Sequence, residues 1–212
     1  MVHTLLYNYL GMNSLIHDAQ SGFHPLCSTQ AVLIRSVDDW RRGLDQDKIT
    51  GTIMVDVSKA FDSINHQLLL EKKWSLRSDW EGKAVVYGVA AFLVGSSKWP
   101  SMVWNPPGMM LSWGSILGPL LFMVFVNNMT EVLTIWSVNL YADDTMINYS
   151  HRDPQQVKGV LEGEFEAIKT WIEWNHLRMN VAKTKLLAFS QRHRQKQVKA
   201  WLVHTKHTAT YF

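Results

Sequence analysis

Four adjacent residues, Tyr141-Ala142-Asp143-Asp144, have the types and spacing to do chemistry. They sit between two short apolar stretches, Val138-Asn139-Leu140 and Thr145-Met146-Ile147, and so read as the tight turn of a β-hairpin. Side chains alternate faces along a strand, so such a turn can hold one carboxylate towards a site and leave the other flanking it. Two neighbouring carboxylates repel each other at neutral pH, and burying them apart from a cation is costly. A hard divalent cation removes that cost, and magnesium is commonly held by one or two carboxylates together with substrate phosphates.

A third acid, Asp56, lies inside the apolar strand Ile49–Val57, between Val55 and Val57. A carboxylate there is expensive unless it is paired or bound to metal. Read singly, each residue has a plainer role. Asp143-Asp144 could be a solvated turn, and Asp56 could cap the helix expected after Ser58-Lys59-Ala60-Phe61-Asp62. Phe61 could be an ordinary core aromatic and Lys183 a surface charge. The nine histidines and the single Cys27 have no zinc-ligand spacing.

The elements that must position these residues follow from periodicity. Ser28 or Thr29 is expected to cap a helix carrying Ala31, Val32, Ile34, Arg35 and Val37, with Arg41-Arg42-Gly43 as a basic break. Phe61 is expected to lead into a helix running to about Trp74, and residues 75 to 99 into a further helical region. Pro100, Pro106 and Pro107 mark a loop over 100 to 108. The stretch from Ile116 to about Met129 reads as a buried helix whose start tolerates Pro119. Asp153-Pro154 is a helix start, and Val157, Val160 or Leu161, Phe165, Ile168, and Trp171 or Ile172 then recur every three or four residues. A loop with Asn180, Lys183 and Thr184 precedes a last strand, Leu186–Phe189, and the tail from Gln191 is basic and expected to be a solvated extension or the remnant of a further region. Together these give an α+β domain, a small antiparallel sheet with helices packed on one face. The expected divisions are 1–48, 49–190 and 191–212.

The 212 residues suffice for one sizeable core, and 47% hydrophobic with 18% charged residues describes a globular chain. A net charge of +3 permits a nucleic-acid partner without arguing for one. One cysteine excludes an internal disulfide framework and fits a reducing compartment. The apolar run Ile116–Val126 is too short to span a bilayer, and the first ten residues do not read as a signal peptide, so an intracellular location with no membrane partner is expected.

The chain resembles the reverse transcriptase domain of non-LTR (LINE-like) retrotransposons over about residues 18 to 190. Five blocks carry the resemblance in family order. They are Gln20-Ser21-Gly22-Phe23 with Ser28-Thr29, Asp56-Val57-Ser58-Lys59-Ala60-Phe61-Asp62 with Asn65-His66, Gly114-Ser115-Ile116-Leu117-Gly118-Pro119-Leu120-Leu121-Phe122, Tyr141-Ala142-Asp143-Asp144-Thr145, and Trp171 with Leu177, Asn180, Lys183-Thr184 and Phe189. The resemblance implies a polymerase palm over 49–190 with partial fingers before it. It implies an RNA-directed DNA polymerase that joins dNTPs to a primer 3′-hydroxyl on an RNA template. Asp56, Asp143 and Asp144 would hold two Mg2+ ions, with Mn2+ as a substitute, and Lys183 would serve the departing pyrophosphate. Val57, Phe61, Tyr141 and Ala142 would line the nucleotide site, Phe61 excluding a 2′-hydroxyl. Gly22, Phe23, Gly114 and Ser115 would meet template and DNA primer.

The departures are specific. Trp113 stands where the family has glutamine, His24 where it has a phosphate-clamping arginine, Leu26 where it has glycine, and Asn127-Asn128 where it has Asn-Asp. Complete fingers and a thumb are not expected within these residues and would have to be supplied in trans. The alternative reading is therefore a catalytically inactive retrotransposon-derived remnant that binds nucleic acid or protein.

Overall fold

The computed structural model describes residues 2–13, 15–22, 28–64, 68–69, 118–135, 137–196, 198 and 209–211. The chain divides into two compact units, Met1–His17 with Phe61–Asn127, and Asp18–Ala60 with Asn128–Phe212. The helical region expected over 75 to 99, the loop expected over 100 to 108, and Phe23, His24, Leu26, Asn65, His66, Trp113, Gly114 and Ser115 lie outside the described residues.

In the first unit, helix α1 (Val2–Met12) buries Leu6 and Leu10, one turn apart. The chain after Ala60 opens on a short 3-10 turn, Phe61–Ser63, and Leu68 and Leu69 are helical; the rest of the helix expected to about Trp74 lies outside the described residues. Lys59 at φ 48° bends the backbone out of the right-handed helical region just before the 3-10 turn. Phe61 is buried there, its ring 4.6 Å from that of Phe122. Phe122 belongs to a helix, Gly118–Val126, whose Leu120 to Val126 are all buried. An apolar surface on every side can be satisfied only inside a core. Asn127 ties the unit's loop in place, accepting from the His17 amide at 2.8 Å and donating to the Leu15 carbonyl at 2.9 Å.

The second unit is a sheet with helices against it. Helix α2 (Thr29–Asp45) starts where Ser28 accepts a hydrogen bond from the Ala31 amide. It does not break at Arg41-Arg42-Gly43 as expected. Arg42 pairs with Asp38 one turn back at 2.7 Å, and Gly43 stays helical. A Cβ on Gly43 would lie 2.4 Å from Thr50 Oγ1, so this glycine marks a tight helix–strand contact and not a stop. With the helix of Gly118–Val126 taken as α3, helix α4 (Pro154–Trp174) begins as read, Asp153 accepting from the Gln155 amide. Its buried stripe comprises Val157, Leu161, Glu164, Phe165, Ile168, Trp171 and Ile172.

The strands are β1 (Ile49–Ser58), β2 (Val138–Tyr141), β3 (Asp144–His151), β4 (Arg178–Met179), β5 (Lys185–Phe189) and β6 (Ala209–Tyr211). Their order is β2-β3-β1-β5-β6, with β4 pairing β1 beyond β5. Among the pairs of described strands only β5–β6 is parallel. The expected fold class therefore holds: a small antiparallel sheet packed against helices, the arrangement of a palm.

Register sorts the sheet into two faces. Ile53 and Val55 of β1 share a face with Thr145 and Ile147 of β3, Leu140 of β2 and Leu186 of β5, all buried, and α4 packs on β1 and β3. The other face reads Thr50, Thr52, Met54, Asp56 along β1, opposite Ser150, Asn148, Met146, Asp144 of β3. Its far end is a closed polar layer under α2. Thr50 and Ser150 share a 2.7 Å hydroxyl bond, Asn148 Oδ1 accepts from Thr52 Oγ1 and Trp40 Nε1, and Trp40 stacks on Phe189 at 4.2 Å. Its near end, at Met54 and the acids, is open. The tail is not wholly solvated: Gln191 Nε2 donates to the Leu44 carbonyl and Arg194 to the Asp47 carbonyl. No described helix is long and apolar enough to cross a membrane.

Candidate functional site at the acidic hairpin

Strands β2 and β3 are joined by Ala142-Asp143, the two-residue turn expected at this sequence. Ala142 sits at φ 56°, the sign a two-residue hairpin of this kind needs at its first turn position and one that glycine would adopt without strain. The β1–β3 register sets Asp56 directly opposite Asp144, on the same face of the sheet. Asp143 stays in the turn, half-buried.

Lys183 joins this pair by way of the chain after β4. The Asn180 amide donates to the Asp56 carbonyl at 2.9 Å, and the Asn180 carbonyl then accepts from the amides of Lys183 and Thr184 and from Thr184 Oγ1. Asn180 thus folds residues 180 to 184 into a turn anchored on Asp56 itself. The turn carries Lys183 Nζ to 3.5 Å from Asp56 Oδ2. Asp56 is largely covered, its side chain 14% exposed, whereas Lys183 is 70% exposed, so the pair is weak, about 1 kcal/mol or less.

Burial first, then the charges of Asp143 and Asp56, raise the Asp144 carboxyl above the ordinary aspartate value, and Lys183 partly opposes them. The residue as a whole is nonetheless exposed, so water screens much of this repulsion. An open groove of about 630 Å³ adjoins the acids. Its walls include Val32 and Leu33 of α2, Met54, Tyr141 and Met146 of the sheet, and Lys183 and Lys185.

The structure thus brings Asp56, Asp144, Lys183 and Tyr141 to one groove. The remaining expected site residues fall elsewhere or play other parts. Val57 is buried on the apolar face, paired with Met179. Phe61 is buried against Phe122 in the first unit. Gly22 lies against the hairpin backbone, where a Cβ would come 2.3 Å from the Ala142 nitrogen. Phe23, Gly114 and Ser115 are outside the described residues. Among the described residues no three His, Cys, Asp or Glu side chains converge where they could hold a metal ion. As arranged, the acids do not fit a pair of ions clasped by a carboxylate triad. Sequence reasoning missed Lys185 and the anchoring role of Asn180. The Asn180-x-x-Lys183-Thr184 spacing is a turn signal that could have suggested the latter.

No individual curated protein matches the chain. A family model described as reverse transcriptase (RNA-dependent DNA polymerase) matches residues 1–208. With that match spanning nearly all of the sequence, and a palm-like sheet presenting Asp144 of its hairpin opposite Asp56, the chain belongs to the reverse transcriptase family.

Proposed function

We propose that this chain is a reverse transcriptase palm that serves as a nucleic-acid-binding module and not as an autonomous polymerase. The observation that carries the reading is the arrangement of the acids: Asp56 and Asp144 face each other, no third His, Cys, Asp or Glu among the described residues converges with them on a metal position, and Lys183 already lies beside Asp56. Two carboxylates repel a phosphodiester backbone unless a cation intervenes. Here the groove supplies Lys183 and Lys185 as ammonium groups, and Tyr141 as an aromatic edge for a base or sugar. Trp113, His24 and Leu26, standing where related sequences carry glutamine, arginine and glycine, point the same way.

The second reading is the RNA-directed DNA polymerase of a non-LTR element, using Mg2+, dNTPs, an RNA template and a DNA primer. The placement of Asp56 opposite Asp144 favours it. In that reading Asp56, Asp143 and Asp144 would hold two Mg2+ ions that supply activation of the primer hydroxyl, and Lys183 would face the triphosphate.

One experiment separates the two. The 212-residue chain is titrated against a fluorescent RNA–DNA primer–template at several salt concentrations, and extension is assayed with dNTPs and Mg2+ or Mn2+ beside Asp144→Ala. Salt-dependent binding without extension is the expected result. Extension abolished by Asp144→Ala would replace the module reading with the polymerase one, and absence of binding at low salt would end both.

A further inference from the structure

We propose that Ala19–Gly22 is a brace that sets the position of the Tyr141–Asp144 hairpin. Gly22 is then a positioning residue of the site, not a contact for template or primer. The functional part of this inference rests on the reading that the hairpin groove binds nucleic acid; the structural part does not.

The brace is built from four contacts within one unit. The Leu140 amide donates to the Ala19 carbonyl at 2.8 Å, and the Ser21 amide donates back to the Leu140 carbonyl at 2.8 Å. Gln20 is thereby paired in parallel with Leu140, extending the sheet by one bridge beyond β2. Gln20, 3% exposed, then accepts from the Gly22 amide through Oε1 at 2.9 Å, curling the chain over the turn. Gly22 ends up against the turn itself. A Cβ at that position would lie 2.3 Å from the Ala142 nitrogen, 3.1 Å from its Cα and 3.0 Å from Gln20 Oε1.

Two of those three neighbours are backbone, which cannot rotate aside. An alanine at position 22 must therefore push the turn away by about 1 Å to reach ordinary contact, a displacement of the size that disables a positioned site. The backbone of the turn is itself strained, with Ala142 at φ 56°. A non-glycine residue keeps such a conformation only when its surroundings over-determine it. The brace is that surrounding: it fixes both sides of Leu140 and closes the space above Ala142. Gln20 Nε2 is buried without a partner among the described residues, so the glutamine is held by its oxygen alone.

The test measures hydrogen exchange of the full chain and its affinity for the primer–template. In Gly22→Ala, exchange of a peptide covering residues 138 to 147 should rise at least about tenfold, while a peptide from α4 stays unchanged. Adding Ala142→Gly, which lets the turn retreat without strain, should restore most of the protection; a direct ligand contact would not be rescued this way. Affinity should fall with Gly22→Ala and return with the second change. Unchanged exchange in Gly22→Ala overturns the brace, as does loss of affinity without loss of protection. If Gly22→Ala does not fold, Gln20→Met decides. Loss of the bond to the Gly22 amide should raise exchange of the same peptide by about threefold to tenfold, and no rise would refute the proposal. If the wild-type chain binds no primer–template, the proposed function fails, and the exchange measurements alone decide the brace.

Discussion

Asp144→Asn should stabilise the metal-free protein at neutral pH, although it removes a residue of the central motif. Asp144 lies directly across from Asp56, and like charges in that position cost about 0.2–1 kcal/mol. Two unit charges about 5 Å apart in a water-like medium repel by roughly 0.8 kcal/mol, which agrees. The exposure of Asp144 and the nearby Lys183 place the net effect towards the middle of that range, about 0.5 kcal/mol. In a chain of this length that is a rise of about 1–2 °C in Tm.

The pH dependence has a definite sign. The folded state holds the Asp144 proton more tightly than the unfolded state, whose ordinary value is 3.8. Between that value and the raised folded one, the folded protein binds more protons, so stability falls as pH rises through this window. The wild-type penalty is therefore absent below the window and fully present above it. Calorimetry on the wild type and Asp144→Asn should show equal stability, apart from a constant offset, at acidic pH and a gap favouring the variant at pH 7. High salt should narrow the gap by screening the repulsion between carboxylates while leaving the share due to burial. A variant less stable than wild type at pH 7, or a difference that does not change with pH, would refute the reasoning.

Two further substitutions test the packing within each unit. Glu164, 4% exposed on α4, accepts from the Thr134 amide through both oxygens and from Thr134 Oγ1. Glu164→Gln should lose about 1–2 kcal/mol of stability, read as a lower urea midpoint, and an unchanged midpoint would show that this clamp on the segment before β2 is dispensable. Phe122→Ala removes a fully buried ring tilted against that of Phe61 and should cost about 3–5 kcal/mol; a loss under about 1 kcal/mol would mean that this core collapses to fill the space.

Local signals proved legible and close approaches did not. Asp153-Pro154 announces α4 because the side chain that caps the helix and the ring that pre-sets its first turn are both in the sequence. The hairpin is legible for the same reason: alternation on either side of a two-residue turn leaves one register. Gly43 was misread because a glycine in a basic run looks like a helix end, whereas it is small because Thr50 Oγ1 lies against it. Asp56 was readable as an acid needing a partner. Which partner lies nearest, Lys183, depends on the Asn180 turn that hangs from the Asp56 carbonyl.

Gly22 carries the argument furthest. Its neighbour Ala142 is 120 residues away in the chain, and nothing in either local sequence encodes their contact. What the sequence does show is a pair of oddities: a glycine in a motif and a non-glycine at the tip of a tight hairpin. In the fold these are one device. Ala142 holds a positive φ that its own side chain disfavours, and it does so under a strand-like segment that only a glycine lets close down on it. Exchanging the two residue types, Gly22→Ala with Ala142→Gly, therefore moves the strain without removing the contact. The doubly substituted chain should fold with a turn that yields to the new methyl group without strain. Its hydrogen exchange and its primer–template affinity should both return most of the way to the wild-type level, and affinity that stays lost while protection is regained would show that Gly22 acts at the ligand and not through the hairpin.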